Sequence, residues 1–337
     1  MSRLTITVVG GGILGLWQAL TLAQRGHAVT LREAAQENGS GAASRLAGAM
    51  LAPYSESEAA EPIIKQLGLR GLELWRQAYS RTETRGSLVL AASRDQGELV
   101  RFARMTDGHR SVDADGIAAL EPALSGRFQC GLFFQEEAHM APRPALDFLI
   151  GRLRELSGDV RFVAPVAEPI WMAAAAGDVV IDCRGMSARS DLAGLRGVRG
   201  EMAVVRAPGL VLSRPLRLLH PRFPLYLVPW GNGTYMIGAT VIEREDAGPV
   251  TARSALDLLA SACAIHPGFA DAHIIELSAG IRPAFKDNVP RIIARGRRLF
   301  VNGAYRHGFL LAPVLAEIAA DHLESGTPIP AALAEQA

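Results

Sequence analysis

Three glycines and an acid near the start of the chain have the types and spacing to do chemistry together. Gly10, Gly12 and Gly15 stand at G-x-G-x-x-G spacing, and Glu33 follows about twenty residues on. In such a unit the first glycine permits a tight turn, the second lets a pyrophosphate approach the backbone, and the third lets helix and strand pack closely. The helix N-terminus offers N–H groups and partial positive charge to phosphates, and a carboxylate placed like Glu33 accepts hydrogen bonds from an adenosine ribose. An adenine dinucleotide is therefore expected, against the alternative of a structural glycine turn. A second candidate is Arg282, set between Ile281 and Pro283. Its planar fork suits a two-pronged grip on a carboxylate. The alternative is a surface or domain-linking arginine, and the apolar flanks favour a buried partner.

These residues need elements to position them. Residues 5–33 read as one βαβ unit: apolar strand, glycine turn, apolar-striped helix closed by Gly26, and a second strand ending in the acid. The run GSGAASRLAGAMLAP, residues 39–53, is so rich in small side chains that its backbone is expected to approach something flat or bulky, with Ser44 and Arg45 reaching phosphate or ribose. A flexible linker is the other reading, but Met50 and Leu51 lead straight into a helical pattern over residues 63–79, where Trp75 reads as core. Residues 86–140 change texture to short strands and helices and look inserted. A helix over 142–156, a strand over 160–166 and a buried strand over 179–185, VVIDCRG, return to the first pattern. That last strand ends in Cys183 and Gly185, where an α/β sheet meets a dinucleotide. Little room is left between these two strands for an added hairpin. Within 198–275, LYLVPWGNGTYMIGAT predicts a hairpin around Gly-Asn-Gly. Alternation puts Tyr226 with Val228 and Tyr235 with Ile237, one face toward a cavity and the other toward solvent or a partner subunit. Residues 279–292 are expected to return to the first domain, and 298–323 to form strand, glycine turn and helix, the helix N-terminus aimed at a ligand. The expected fold class is α/β: a Rossmann-like dinucleotide domain (1–82, 140–197, 279–337) interleaved with an antiparallel-sheet substrate domain (83–139, 198–278).

Composition narrows the function classes. A chain of 337 residues can bury two cores, and a net charge of +1 leaves no footprint for nucleic acid or an anionic membrane. Lys65 and Lys286 are the only lysines, which disfavours a pyridoxal Schiff-base enzyme. Cys130, Cys183 and Cys263 are odd in number and scattered, as for free thiols in a reducing compartment. His220, His266 and His307 lack metal-ligand spacing, so no metal is expected, and neither G-x-S-x-G nor a P-loop is present. The first strand starts too close to Met1 for a cleavable signal, and glycines and Gln18 interrupt the apolar run over residues 4–23. A cytoplasmic protein is expected, with a homo-oligomer left open.

Taken together, the glycine unit, AGAMLAP, YLVP followed by GAT, GIRP and the terminal YRHGFLLAP resemble the D-amino acid oxidase-like flavoproteins, most nearly their glycine oxidase branch of thiamine biosynthesis. The resemblance runs from end to end. It implies non-covalent FAD bound in a GR2-type fold, and oxidation of a small amino acid to the imino acid with oxygen as acceptor. By the same resemblance Arg282 pairs with the substrate carboxylate and Tyr226 helps to close over it. For Tyr226 the residues alone favour a core tyrosine with its hydroxyl satisfied. Met50 and Val241 would line the substrate pocket. Cofactor contacts would come from Gly10, Gly12, Ile13, Leu14, Gly15, Glu33, Ser44, Arg45, Met50, Leu51, Val166, Cys183 and Gly185, and from Arg306, His307, Gly308, Phe309 and Leu310 in the terminal motif. Two positions depart from the family: Ala49 where it has glycine, and Val241 where it has a pocket methionine that bears on which amino acids fit. The resemblance implies hydride transfer without a side-chain base. Its rivals are a flavin dehydrogenase feeding a quinone or carrier protein, and a dinucleotide-binding interaction protein without turnover.

Overall fold

The computed structural model describes residues 3–34, 41–156, 158–162, 178–220 and 224–335. The predicted βαβ unit is present: β1 (Thr5–Val9), the helix Ile13–Gln24 and β2 (Ala28–Glu33), with β1 and β2 paired in parallel. Further parallel pairings add strands Asp159–Phe162 beside β2, Val179–Asp182 beside β1, and then Arg298–Asn302; Arg291–Arg295 closes the far edge antiparallel. In this six-stranded sheet β1 is buried along its length after Thr5, as expected of a strand covered on both faces.

The helix Gly308–Ser325 packs against both Ile13–Gln24 and the helix Pro62–Ala78. Pro313 lies inside it and has no N–H to offer the Phe309 carbonyl. That carbonyl instead accepts from Trp75 Nε1 at 2.6 Å, and the two rings stack 5.9 Å apart. Trp75 is fully buried, the core residue its spacing predicted. Gly326, at φ 69°, ends the helix in the left-handed conformation usual after a helix C-terminus.

The second sheet has eight strands. From one edge they run His273–Ala284, Arg196–Arg206, Thr234–Gly238, Leu225–Gly231, Leu216–Leu219, Ser87–Ala91, Cys130–Phe134 and Arg110–Asp113. Residues 86–140 thus supply three strands to it. The predicted hairpin closes through Asn232 and Gly233, both at positive φ, between the paired Gly231 and Thr234. Its two faces divide as alternation requires: Val228 and Met236 pack with Met202 and Val204, whereas Leu227, Tyr235 and Ile237 face a separate core.

Two expectations need correction. The hairpin face carrying Tyr235 meets neither solvent nor a partner; the helix Ala252–Ile265 covers it, with Leu258, Ala262 and Ile265 in the same core. Residues 279–284 do not turn back to the first sheet. They continue the edge strand His273–Ala284, paired with Arg196–Arg206 along its length, so Arg282 belongs to the eight-stranded sheet. A twelve-residue strand held by a continuous ladder outweighs the break that Pro283 suggests, because the proline sits on an edge strand. Among the described residues no helix is long and apolar enough to cross a membrane.

Candidate active site

The glycines have separate roles. Gly10 has φ 99°, and a side chain there would meet the Cys183 carbonyl at 2.5 Å; one on Gly15 would fall 1.8 Å from the Gly10 carbonyl. Both are required by the approach of backbone to backbone. Gly12 differs: a Cβ there would have Ser44 Oγ, at 3.3 Å, as its nearest neighbour. It caps the helix Ile13–Gln24, whose first amide, Ile13 N, donates to Ser44 Oγ at 3.0 Å. The Glu33 carboxylate lies across the same turn and accepts from the Gly11 amide. An open glycine at a helix N-terminus, a hydroxyl beside it and a carboxylate within reach fit the pyrophosphate and ribose of a dinucleotide. Arg45 follows Ser44 on the turn Ala43–Leu46, its guanidinium 3.9 Å from Asp147.

The other expected cofactor residues are distributed around this turn. Ile13 is buried and Leu14 partly buried. The side chains of Leu51, Phe309 and Leu310 pack in the main core, and Cys183 is buried with them. Gly185, at φ 57°, has its carbonyl held by Asn302 Nδ2 at 2.9 Å. Gly308 opens the last long helix, immediately after Arg306 and His307. Val166 lies outside the described residues. Ala49 has φ 52°, the left-handed region that suits glycine and costs other residues about 1–2 kcal/mol.

A charged cluster gathers at the junction of the two sheets. Glu56, on the turn Ser55–Glu58, accepts a hydrogen bond from the Tyr226 hydroxyl at 2.7 Å and pairs with Arg306 at 3.5 Å. Arg306 also donates to the Tyr226 hydroxyl and lies over its ring, 5.0 Å from the centroid. Arg217 stands 3.9 Å from Glu56, pairs with Glu58 at 3.1 Å, and covers the other side of the cluster. Burial alone would raise the Glu56 carboxyl, but Arg306 and Arg217 outweigh it and hold the pKa at about 2. His307, 3.9 Å from Glu56, is driven by burial to about 4 and is neutral at neutral pH. Burial also raises the Tyr226 hydroxyl, against Arg217 and Arg306.

Arg282 reaches the same region from the edge strand. Its guanidinium donates to the Thr240 carbonyl at 3.1 Å and lies flat on Gly200, where a Cβ would be 2.1 Å from Nη2. Among the described residues no carboxylate pairs with it. Burial and then repulsion from Arg306 lower its pKa to about 10, which still leaves it charged at neutral pH. The adjoining apolar wall is Met202, Val204, Val228 and Met236, with Leu46 and Met50 against it. Val241, expected in the pocket, is 48% exposed.

The structure therefore brings Arg282, Tyr226, Arg306, His307 and Met50 together. Sequence reasoning missed Glu56, Arg217, Gly200 and Tyr305. Tyr305, at φ 48°, follows Ala304, which bridges to Ala284, and donates its amide to the Pro283 carbonyl at 3.0 Å. Its place in the YRHG turn was the available signal. Glu56 had none, since it is surrounded by ordinary polar sequence, whereas Arg217, between Leu216 and Leu218, has apolar flanks like those of Arg282 and was passed over.

The family model DAO, described as FAD dependent oxidoreductase, matches residues 5–322. The chain is 47% identical to a Rhizobium etli protein named as the thiamine biosynthesis oxidoreductase ThiO, over 96% of this chain and 98% of the other. It is 26% identical to a glycine oxidase of Bacillus licheniformis, covering 97% and 94% of the two chains. The crystal structure of glycine oxidase from Geobacillus kaustophilus superposes with a TM-score of 0.76 at 22% identity, over 96% of this chain and 95% of that one, a likeness of fold.

Proposed function

Since the chain belongs to the FAD-dependent oxidoreductases of the D-amino acid oxidase family, we propose that it oxidises glycine, or an amino acid nearly as small, to the imino acid as a step toward the thiazole of thiamine. The names of its relatives support the substrate and the pathway. The observation that carries the reading is Arg282: a charged guanidinium deep in the charged cluster, without a carboxylate partner among the described residues, fixed by Thr240 and Gly200. A buried charge of this kind calls for an anionic ligand.

In this reading Arg282 takes the substrate carboxylate in a two-pronged grip, and Tyr226 closes over it. The six-stranded sheet and its glycine turn form the cofactor half, with Ser44, Glu33 and the first turn of the helix Ile13–Gln24 holding the dinucleotide. The eight-stranded sheet forms the substrate half. FAD supplies the two-electron chemistry, accepting hydride from the α-carbon and passing the electrons to dioxygen to give hydrogen peroxide. Glu56, held near 2 by two arginines, is too weak a base to take the ammonium proton at neutral pH. The substrate therefore enters with its amine neutral, having lost that proton to water. As the α-C–H pair leaves, the nitrogen lone pair forms the C=N bond, and the imino acid hydrolyses in water. Arg282 keeps the α-carbon in place throughout, and the Met202–Val228–Met236 wall excludes water. Three free cysteines among the described residues accord with a cytoplasmic location.

The test is turnover in air with glycine, sarcosine and D-alanine. One peroxide per amine released is expected. Amine oxidation without peroxide would shift the electron acceptor to a quinone or carrier, and no oxidation of any of the three would overturn the reading.

A further inference from the structure

Glu56 has no part in the chemistry just described, yet it is held in place by several partners of the cluster. Its turn is fixed from two directions. Buried Glu137 accepts from the amides of Tyr54 at 3.1 Å and Ser55 at 2.6 Å, and Arg217 donates to the Ser55 carbonyl at 3.0 Å. The carboxylate itself meets the Tyr226 hydroxyl at 2.7 Å, Arg306 at 3.5 Å and His307 at 3.9 Å. It cannot swing aside without breaking these contacts.

The cluster holds the guanidiniums of Arg217, Arg306 and Arg282 and the carboxylates of Glu56 and Glu58; Glu58 also meets Arg101 at 2.9 Å, which has Glu98 as a second partner at 3.2 Å. Arg217 is matched by Glu58 at 3.1 Å and Arg306 by Glu56, which leaves Arg282 as the uncompensated cation. We infer that Glu56 is a specificity-determining residue: by occupying Arg306 and the Tyr226 hydroxyl it leaves one guanidinium for one carboxylate, and it repels substrates that carry a second. The inference rests on the amino acid oxidase reading and refines its substrate class to small monocarboxylate amines. Without Glu56, Arg306 would become a second anion site beside Arg282, near enough that the two already repel.

The experiment compares sarcosine with iminodiacetate, the same secondary amine with one more carboxylate, in wild-type holoenzyme, Glu56→Gln and Glu56→Asp. The glutamine keeps an acceptor for Tyr226 and loses the charge; the aspartate keeps the charge. Removing a like charge about 5 Å away in a site of intermediate dielectric should raise the iminodiacetate-to-sarcosine ratio of kcat/KM by roughly ten- to a hundredfold in Glu56→Gln. In Glu56→Asp the ratio should stay close to wild type. An unchanged ratio in Glu56→Gln, or an equal rise in Glu56→Asp, overturns the inference. Should Glu56→Gln not fold or not retain flavin, wild-type enzyme decides through perturbation of flavin absorbance by acetate and by malonate: acetate should bind at least as tightly, and malonate binding about tenfold more tightly would refute the role of Glu56. If wild type fails to oxidise sarcosine and glycine, the amino acid oxidase reading falls and the inference with it; normal oxidation with an unchanged ratio removes the inference alone.

Discussion

Replacing Gly200 by alanine tests whether the position of Arg282, as distinct from its presence, sets the rate. Gly200 lies on the strand Arg196–Arg206, directly opposite Gly280, so alanine fits the backbone. Its Cβ, however, would stand 2.1 Å from Arg282 Nη2 and 2.2 Å from Cζ, where ordinary contact begins near 3.4 Å. The guanidinium must retreat by more than an ångström, and the 3.1 Å bond to the Thr240 carbonyl is lost with that movement. A misplacement of about 1 Å can cost on the order of a hundredfold in rate. Allowing for the flexibility of the side chain, we expect kcat/KM for glycine to fall by roughly ten- to a hundredfold, or about 1.4–2.7 kcal/mol of transition-state stabilisation. Peroxide formation at varied glycine measures the fall. Flavin absorbance and thermal unfolding should match wild type, because the glycine turn that holds the dinucleotide lies on the other sheet. A variant with unchanged kcat/KM would show that Arg282 does not grip substrate from its observed position.

Truncating Arg282 to methionine should cost more, about 2–5 kcal/mol or thirty- to several-thousand-fold in kcat/KM, with lysine restoring only part of it and flavin content unchanged; loss of flavin would instead make it a cofactor or folding residue. Gly12→Val should give folded, colourless protein, since only Ser44 Oγ is close, whereas Gly15→Ala should lower the unfolding temperature sharply because its Cβ falls 1.8 Å from the Gly10 carbonyl; equal flavin content in Gly12→Val and wild type would contradict this. Glu137 is raised by burial to about 7 from its usual 4.5, so the folded state binds its proton more tightly than the unfolded state, and the stability it lends at low pH is lost as pH rises through 7. Between pH 5 and pH 8 the difference in unfolding free energy between wild type and Glu137→Gln should therefore swing by roughly 2–3 kcal/mol against wild type, measured by urea unfolding; parallel pH profiles would refute it.

What could be read from the sequence was local or periodic. The glycine turn carries its meaning within one βαβ unit, and the hairpin faces follow from alternation across an Asn-Gly turn. The charged cluster is different. Tyr226 and Glu56 are 170 residues apart, and Arg306 and Glu56 are 250 apart. Nothing near Glu56 distinguishes it in sequence from Glu58, which pairs with Arg217 and Arg101, or from the exposed Glu61. Arg282 could be singled out by its apolar flanks, but the surface it lies on, Gly200, is defined only once the two long strands pair. The exposure of Val241 and the helix over the second hairpin face likewise follow from tertiary packing. Alternation showed that the hairpin had two faces and left open what would cover each.

The central claim is that bound FAD takes electrons from a small amino acid held by Arg282. Mixing the purified yellow protein with glycine in the absence of oxygen tests it most directly. The oxidised flavin absorbance should bleach in proportion to enzyme and return on admission of air with one equivalent of peroxide. If glycine, sarcosine and D-alanine at high concentration all leave the flavin oxidised, the account of this site is wrong.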